Sequence, residues 1–309
     1  MGVSMHPQQR GMAVISALLI ATVVAVIAAG MIARQTQVTR SVLGETQRVQ
    51  GAWVSSGVLE WARQSLWQQR QREVATRLDQ PWAQPLHNLQ LGADSGVFDG
   101  TLSDEQGKFN LRNLVRDGLP DPLEVAAFER LCNSLAVKAG QSARIVQRVV
   151  DAYPRRGAVL LDGAASPLLP SSRPMLRQLD DLASVAGIEP ATLERLRPYA
   201  TVLPALTWVN GNTTSAPVLA ARVPGMGLQQ AQALLAERDR GQWFINSGDY
   251  LNRLRVPQMS TEELRLGITS EWFLLRGQAT VQQRQFPVEA LLYRSELSKP
   301  RVIWSRVGA

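Results

Sequence analysis

Two histidines, one cysteine and a scatter of carboxylates are the side chains here best suited to catalysis or metal binding. None forms a working constellation. His6 lies in a short polar stretch at the amino terminus, and His87 in a Pro- and Gln-rich segment with no nucleophile motif beside it. Cys132 falls in the apolar pattern Phe128, Leu131, Cys132, Leu135, the place of a buried thiol on a helix face. A lone cysteine also excludes an intramolecular disulfide. No Cys/His set suits zinc. The Gly-Lys pair in "EQGKF" is not a phosphate loop, because the earlier glycine it needs is Leu102 and Phe109 replaces the hydroxyl residue. Asp94, Asp99, Asp104 and Glu105 carry oxygens that calcium favours, but they lack EF-hand spacing and read more simply as solvated loop acids. The sequence supports no enzyme.

The remaining chemistry is a peptide bond to be cut. Arg10 and Gly11 stand directly before Met12–Ala33, 22 residues with no charge. About 20 apolar residues at about 1.5 Å each match the thickness of a bilayer's hydrocarbon core. A secretory signal carries its small-residue cleavage site after the apolar region. Here the attractive site, Gly11, precedes it, so a cut would leave the membrane helix on the mature chain. Net charge is +7, carried by 30 Arg and 3 Lys spread along the chain rather than gathered into one basic run.

The elements that must hold this anchor follow from periodicity. From Arg34 to about Leu78 there is no proline, and Val38, Val42, Val49, Trp53, Leu59 and Leu66 recur at helical spacing. The anchor and this stretch therefore read as one helix ending before "DQPWAQP". A loop rich in Asp and Gly is expected over 91–100, then strand-like and turn-like pieces around Gly107. Helices are expected over 123–139, 142–152, 173–185 (with Asp180 and Asp181 inside it), 191–196, 229–238 and 260–266, several beginning near prolines. From Ile268 onward, "ITSEWFLLRGQATV", "FPVEALLYRS" and "RVIWSRV" suit three antiparallel strands.

The junction "RGMAVISALLIATVVAVIA" resembles the leader of type IV pilins and type II secretion pseudopilins. The chain also resembles the minor pseudopilin K family in "DEQGKFNLRNL" (Asp104, Gly107, Asn110, Leu111, Asn113, Leu114), "LRPYATVLP", "VNGNTTSAPVLAA" and "TSEWFLLRG". The resemblance implies cleavage by prepilin peptidase between Gly11 and Met12, with methylation of the new amino terminus. Most of these proteins carry a glutamate at mature position five, where this chain has Ser16. A charge at the centre of a membrane helix costs ~2.5–3.5 kcal/mol, which the family offsets by pairing with a neighbouring subunit. Ser16 implies a subunit that need not make that pairing, as expected at a filament tip.

The implied fold is α+β: a pilin-like long N-terminal helix packed on a small antiparallel sheet, with a large all-helical insertion. The expected divisions are leader 1–11, membrane half 12–33, helix and first part of the sheet domain 34–117, insertion 118–266, and closing strands 267–309. The implied location is the bacterial inner membrane, single-pass, with the C-terminal domain in the periplasm. The implied partners are other minor pseudopilins (I, J and H type), prepilin peptidase, the inner membrane and, further, secreted substrates. No cofactor is required; the resemblance admits calcium without placing its ligands. Within the insertion, 223–251 resembles a helix-hairpin-helix module, with Gly225 and Gly227 in the hairpin. The positions after it, Leu228, Gln229 and Gln230, lack the cations that dominate nucleic-acid binding, so nucleic acid is not the expected partner. A DNA-uptake minor pilin using that module, and a generic inner-membrane-anchored periplasmic binding protein, are the alternatives.

Overall fold

The structure, a computed structural model, describes residues 8–90, 96–156, 168–256, 258–281 and 284–307. Helix α1 (Gln8–Arg72) runs unbroken for 65 residues, about 100 Å at the usual rise. Its two halves differ in what they touch. Val14 to Ile32 are exposed throughout, whereas Val54, Val58, Ala62 and Leu66 are fully buried at helical spacing. Thr22, Thr36, Thr39 and Thr46 each donate the side-chain hydroxyl to the carbonyl four residues back, so the polar groups of the bare half are satisfied within the helix. The helix is long and apolar enough to cross a membrane.

The buried face of α1 lies on a five-stranded antiparallel sheet: β1 (Leu86–Gln90), β2 (Val97–Asp104), β3 (Trp272–Val281), β4 (Arg284–Tyr293) and β5 (Arg301–Val307). Spatial order follows chain order, so the sheet is a simple meander. Alternation sorts its side chains: Phe98, Leu102, Phe273, Leu275, Ala279, Phe286, Val288 and Leu292 face α1, while Trp272 and Leu291 point the other way. Gly51 permits the close approach of helix and sheet, because a Cβ there would meet the Phe286 ring at 3.0 Å. Trp82 closes one end, edge-on to Phe273 at 5.1 Å, with its indole N–H donated to Gln80 Oε1.

Between β2 and β3 the chain leaves the sheet and builds a second core. Its helices are α2 (Pro122–Ser134), α3 (Ala139–Val150), α4 (Pro190–Leu196), α5 (Ala216–Arg222), α6 (Leu228–Asp239), α7 (Ser247–Leu254) and α8 (Thr261–Leu264). Four two-residue strand pairs lie at the seams. Cys132 is buried in this core beside Phe128 and Leu131, and burial pushes its thiol up to about 12.

The structure differs from the sequence reading at several elements. The long helix stops at Arg72, because 73–80 turn to bond the insertion. β2 begins at Val97, inside the expected loop, since Phe98 has the sheet core to fill. No α-helix spans 173–185. Asp181 accepts the Arg177 and Gln178 amides, so only a 3-10 turn, Leu179–Ser184, forms after them. Helix α5 starts by Pro217, a position that suits a helix start although no range is expected there, and α7 is not expected. The core of the inserted unit also takes in Phe109, Leu111, Leu114 and Val115, residues the sequence reading grouped with the sheet.

One buried ion cluster ties the inserted helices. Arg222 makes a bidentate pair with Glu124 (2.6 and 2.9 Å), and Arg265 bonds both Glu124 (2.6 Å) and Asp121 (2.7 Å). Asp121 also caps α2. Removing one partner leaves charges buried and unpaired. Glu124→Ala is therefore expected to destabilise the chain by about 3–5 kcal/mol, and Leu66→Ala, which empties the α1–sheet core, by about 2–5 kcal/mol. Thermal unfolding of the detergent-solubilised protein, calibrated against denaturant, checks both.

Candidate functional site: the bare helix and the joint to the insertion

Two places can do work here, the bare half of α1 and the joint where the insertion meets sheet and helix. Gly11 and Met12 lie within α1, and Ser16 lies one turn further on its exposed stretch. Residues 1–7 of the expected leader, His6 among them, and Asp94 lie outside the described residues. Ser16 is flanked by exposed Ile15, Leu18 and Leu19, so the surface around it is apolar. Further along, Trp53 is 72% exposed although the adjacent Val54 is fully buried. Trp53 continues a line of exposed apolar residues, Val38, Val42 and Val49, along the same helix.

The joint is polar and almost fully satisfied. Asp104, the last residue of β2, is buried. Its Oδ1 accepts the Gln106 amide (2.8 Å), and its Oδ2 accepts Thr213 Oγ1 (2.6 Å), Asn210 Nδ2 (3.2 Å) and Ser270 Oγ. Burial pushes this carboxyl up from the ordinary value, against the donors and nearby Arg294, which pull it down. Asn210 also donates to the Thr76 carbonyl (3.0 Å), beyond the end of α1. Thr76 in turn donates its amide to Ile268 O (2.8 Å) and accepts Arg294 Nη2 on its hydroxyl (2.6 Å). Arg294 lies over the Phe273 ring, and burial pushes its guanidinium down to about 10, so it remains a cation at neutral pH. The α1 exit, β2, the insertion and the β4 end thus meet at one node.

Around the node, asparagine amides stand in for backbone. Asn113 donates to Thr207 O (2.7 Å) and accepts Thr207 N (3.1 Å). Asn212 does the same with Phe244 O and N, both at 2.9 Å. Asn110 accepts the Leu203 amide and donates to Ala205 O. Each satisfies an irregular loop that no strand could reach. Gly211 sits where only hydrogen fits, since a Cβ there would overlap the Tyr250 hydroxyl. All four motifs singled out in the sequence supply residues to this joint or its lining.

Three of the acidic residues, Asp99, Asp104 and Glu105, have partners within the chain. Asp104 is surrounded by donors, Glu105 pairs with Lys108 (2.7 Å), and Asp99 accepts the Asn88 amide (3.0 Å). Among the described residues no group of three His, Cys, Asp or Glu is placed to hold a metal. The hairpin of 223–227 joins α5 to α6 with Gly225 in the left-handed region and Leu228, Gln229 and Gln230 exposed beside it. Behind it, Arg238 turns inward to the carbonyls of Gly211 and Thr214 (3.0 and 2.7 Å), away from any phosphate. Sequence reasoning missed Thr76 and Arg294, for which no local signal exists: their bond spans 218 positions.

A helix bare over its apolar half, packed over its second half on an antiparallel meander that carries a helical insertion, defines a pilin-like subunit. Family models for type II secretion system protein K match residues 107–205 and 209–269, together about half of the chain. The chain belongs to the type II secretion system protein K family, and it is a minor pseudopilin of that system. It is 28% identical to type II secretion system protein K of Pseudomonas aeruginosa, over 98% of this chain and 94% of that one. Identity to the Pectobacterium carotovorum protein is also 28%, over 98% of each. The fold matches a chain in the crystal structure of the GspK-GspI-GspJ complex from the enterotoxigenic Escherichia coli type 2 secretion system, with a TM-score of 0.69 and 22% identity. That match covers 86% of this chain and 98% of the other. The apolar amino-terminal helix is consistent with membrane anchoring.

Asp104→Leu removes the acceptor of four buried donors, and leaving buried donors unmade costs about 1–3 kcal/mol each. Hydrogen exchange at the amides of Gln106 and Ser270 is expected to quicken in this variant relative to amides at the centre of the sheet. Unchanged exchange at both would mean that Asp104 does not hold the joint.

Proposed function

We propose that this chain works by assembly, as the tip subunit of the periplasmic pseudopilus whose growth drives protein export across the outer membrane. Prepilin peptidase removes the leader between Gly11 and Met12. The bare half of α1 then holds the subunit in the inner membrane, with the sheet and insertion in the periplasm. The exposed stretch of α1 packs beside other minor pseudopilins of I, J and H type; that the similar structure is a GspK-GspI-GspJ complex supports the first two.

One observation carries the tip reading. The insertion is bonded to residue 76, just past the end of α1 furthest from the apolar segment. Mass placed there lies over the far end of a helix bundle, where it blocks a further subunit from stacking above. Ser16 supports the same position, because a subunit with none above it needs no glutamate to meet a neighbour's amino terminus.

Gly11→Ala is expected to leave the precursor uncut. Mass spectrometry of the amino-terminal peptide, with and without prepilin peptidase, reads this directly: an N-methylated Met12 that depends on peptidase and is lost in the variant supports the assignment. An intact Met1 in the unaltered chain with peptidase present removes it. Ser16→Glu separates tip from shaft, since a tip subunit gains no assembly from the charge whereas a shaft subunit assembles better.

A further inference from the structure

The sheet face opposite α1 does not close completely against the insertion. A groove of about 1240 Å³ runs between β5 and the loops of the inserted unit. Its apolar surface comes from Met175, Pro204, Ile303 and Trp304, backed by the buried Val202, Leu203 and Leu291. Four consecutive residues of β5, Ile303 to Arg306, line it. Neighbours in a strand point to opposite faces, so a run of four means the groove follows the strand's outer edge as well as one face. β5 is the last strand of the sheet, with β4 as its only partner, and Ile303 and Val307 are both more than two-fifths exposed. An open edge with exposed apolar residues is a template for another extended chain.

Charge selects among the chains that could lie there. Arg148 and Arg177 line this groove, and Arg144, Arg148 and Arg173 line a smaller one that continues past Pro174 and Ser184. Among the described residues none of these four guanidiniums has a carboxylate within ion-pair distance. Arg148 donates Nη2 to Pro174 O (3.0 Å), and its Nη1 is buried without a partner. Arg306 donates to Gln178 Oε1 at 2.6 Å, lies 4.0 Å from Glu289 and stands over the Trp304 ring at 5.1 Å. The acids nearby are already occupied. Asp180 is held by Arg197 (2.7 Å), Asp181 by the Arg177 and Gln178 amides, and Asp151 by Gln147 and Arg155. The groove therefore presents cations over an apolar floor beside an unpaired strand edge.

We propose that this groove binds an extended acidic segment of a partner protein, which adds to β5 as a sixth strand, with its carboxylates on the arginines and its apolar side chains on Ile303 and Trp304 of that strand. The site is separate from the bare half of α1, so it stands or falls independently of the assembly reading above.

Fluorescence anisotropy with the full chain in detergent tests it. The probe is a labelled peptide of about ten residues with Ser at every second position and Glu and Val taking turns between them, so that both types face the groove; it is long enough to span a strand of ordinary length. It is expected to bind, to weaken as salt rises, and to lose affinity about tenfold or more in Arg148→Glu with Arg173→Glu. Arg173→Glu alone, a change away from the core, is expected to weaken it in the same direction, and Trp304→Ala to weaken it without changing the salt dependence. Arg240→Glu, at an exposed residue that lines neither groove, should leave it unchanged. N-methylation of alternate peptide amides should abolish binding if the chain adds as a strand. Equal binding of a Lys-Val peptide, binding insensitive to Arg173→Glu, or undiminished binding of the N-methylated peptide would each overturn the proposal. So would preferential binding of a short DNA duplex, which has the charge but no strand to add.

Discussion

The architecture depends on one adjacency. β2 ends at Asp104, and β3 begins at Trp272, where Phe273 is the direct cross-strand partner of Asp104. The inserted unit therefore leaves and re-enters the sheet at neighbouring points. An insertion whose ends already lie side by side adds little strain to its host, because closure entropy rises only slowly with loop length. Asp104 then does more than end a strand. By accepting Ser270, Thr213, Asn210 and the Gln106 amide, it clamps both crossing points to the middle of the insertion.

The joint is polar where a joint between two cores could have been apolar. The difference lies in specificity. An apolar contact tolerates sliding and repacking, whereas a network of fixed donors and acceptors is satisfied in one arrangement only. The paired amides of Asn113 and Asn212 fix the inserted unit itself, each meeting both the N–H and the C=O of a single residue within it. The insertion is thus held in one orientation relative to α1. For a subunit whose role is geometric, orientation is the property that matters. The small apolar contact of Leu203, Trp272 and Leu291 supplies burial at the same seam.

Legibility in the sequence tracked how local each cause was. The three closing strands were readable, because alternation around Phe273, Val288 and Val302 is a property of the segments themselves. The start of α2 was readable from Pro122, a ring that presets the first turn. The stretch 173–185 was not, because its helical composition yields to Asp181 folding back on two amides. The roles of Glu124 and Arg265 were equally hidden: each looks like an ordinary surface charge until helices over a hundred positions apart bring them together, and only then is their burial compensated.

By itself the sequence determined that a long apolar helix continues without a break into an amphipathic one, and that a helical segment separates the early strands from the closing ones. These follow from periodicity, breakers and charge, which act within a few turns of chain. The tertiary structure alone decided that β2 and β3 are neighbours, that Thr76 and Arg294 meet, and that an arginine-lined groove opens beside β5. The physical reason is that burial and pairing across long separations belong to no single segment: their energies exist only once the chain has closed on itself.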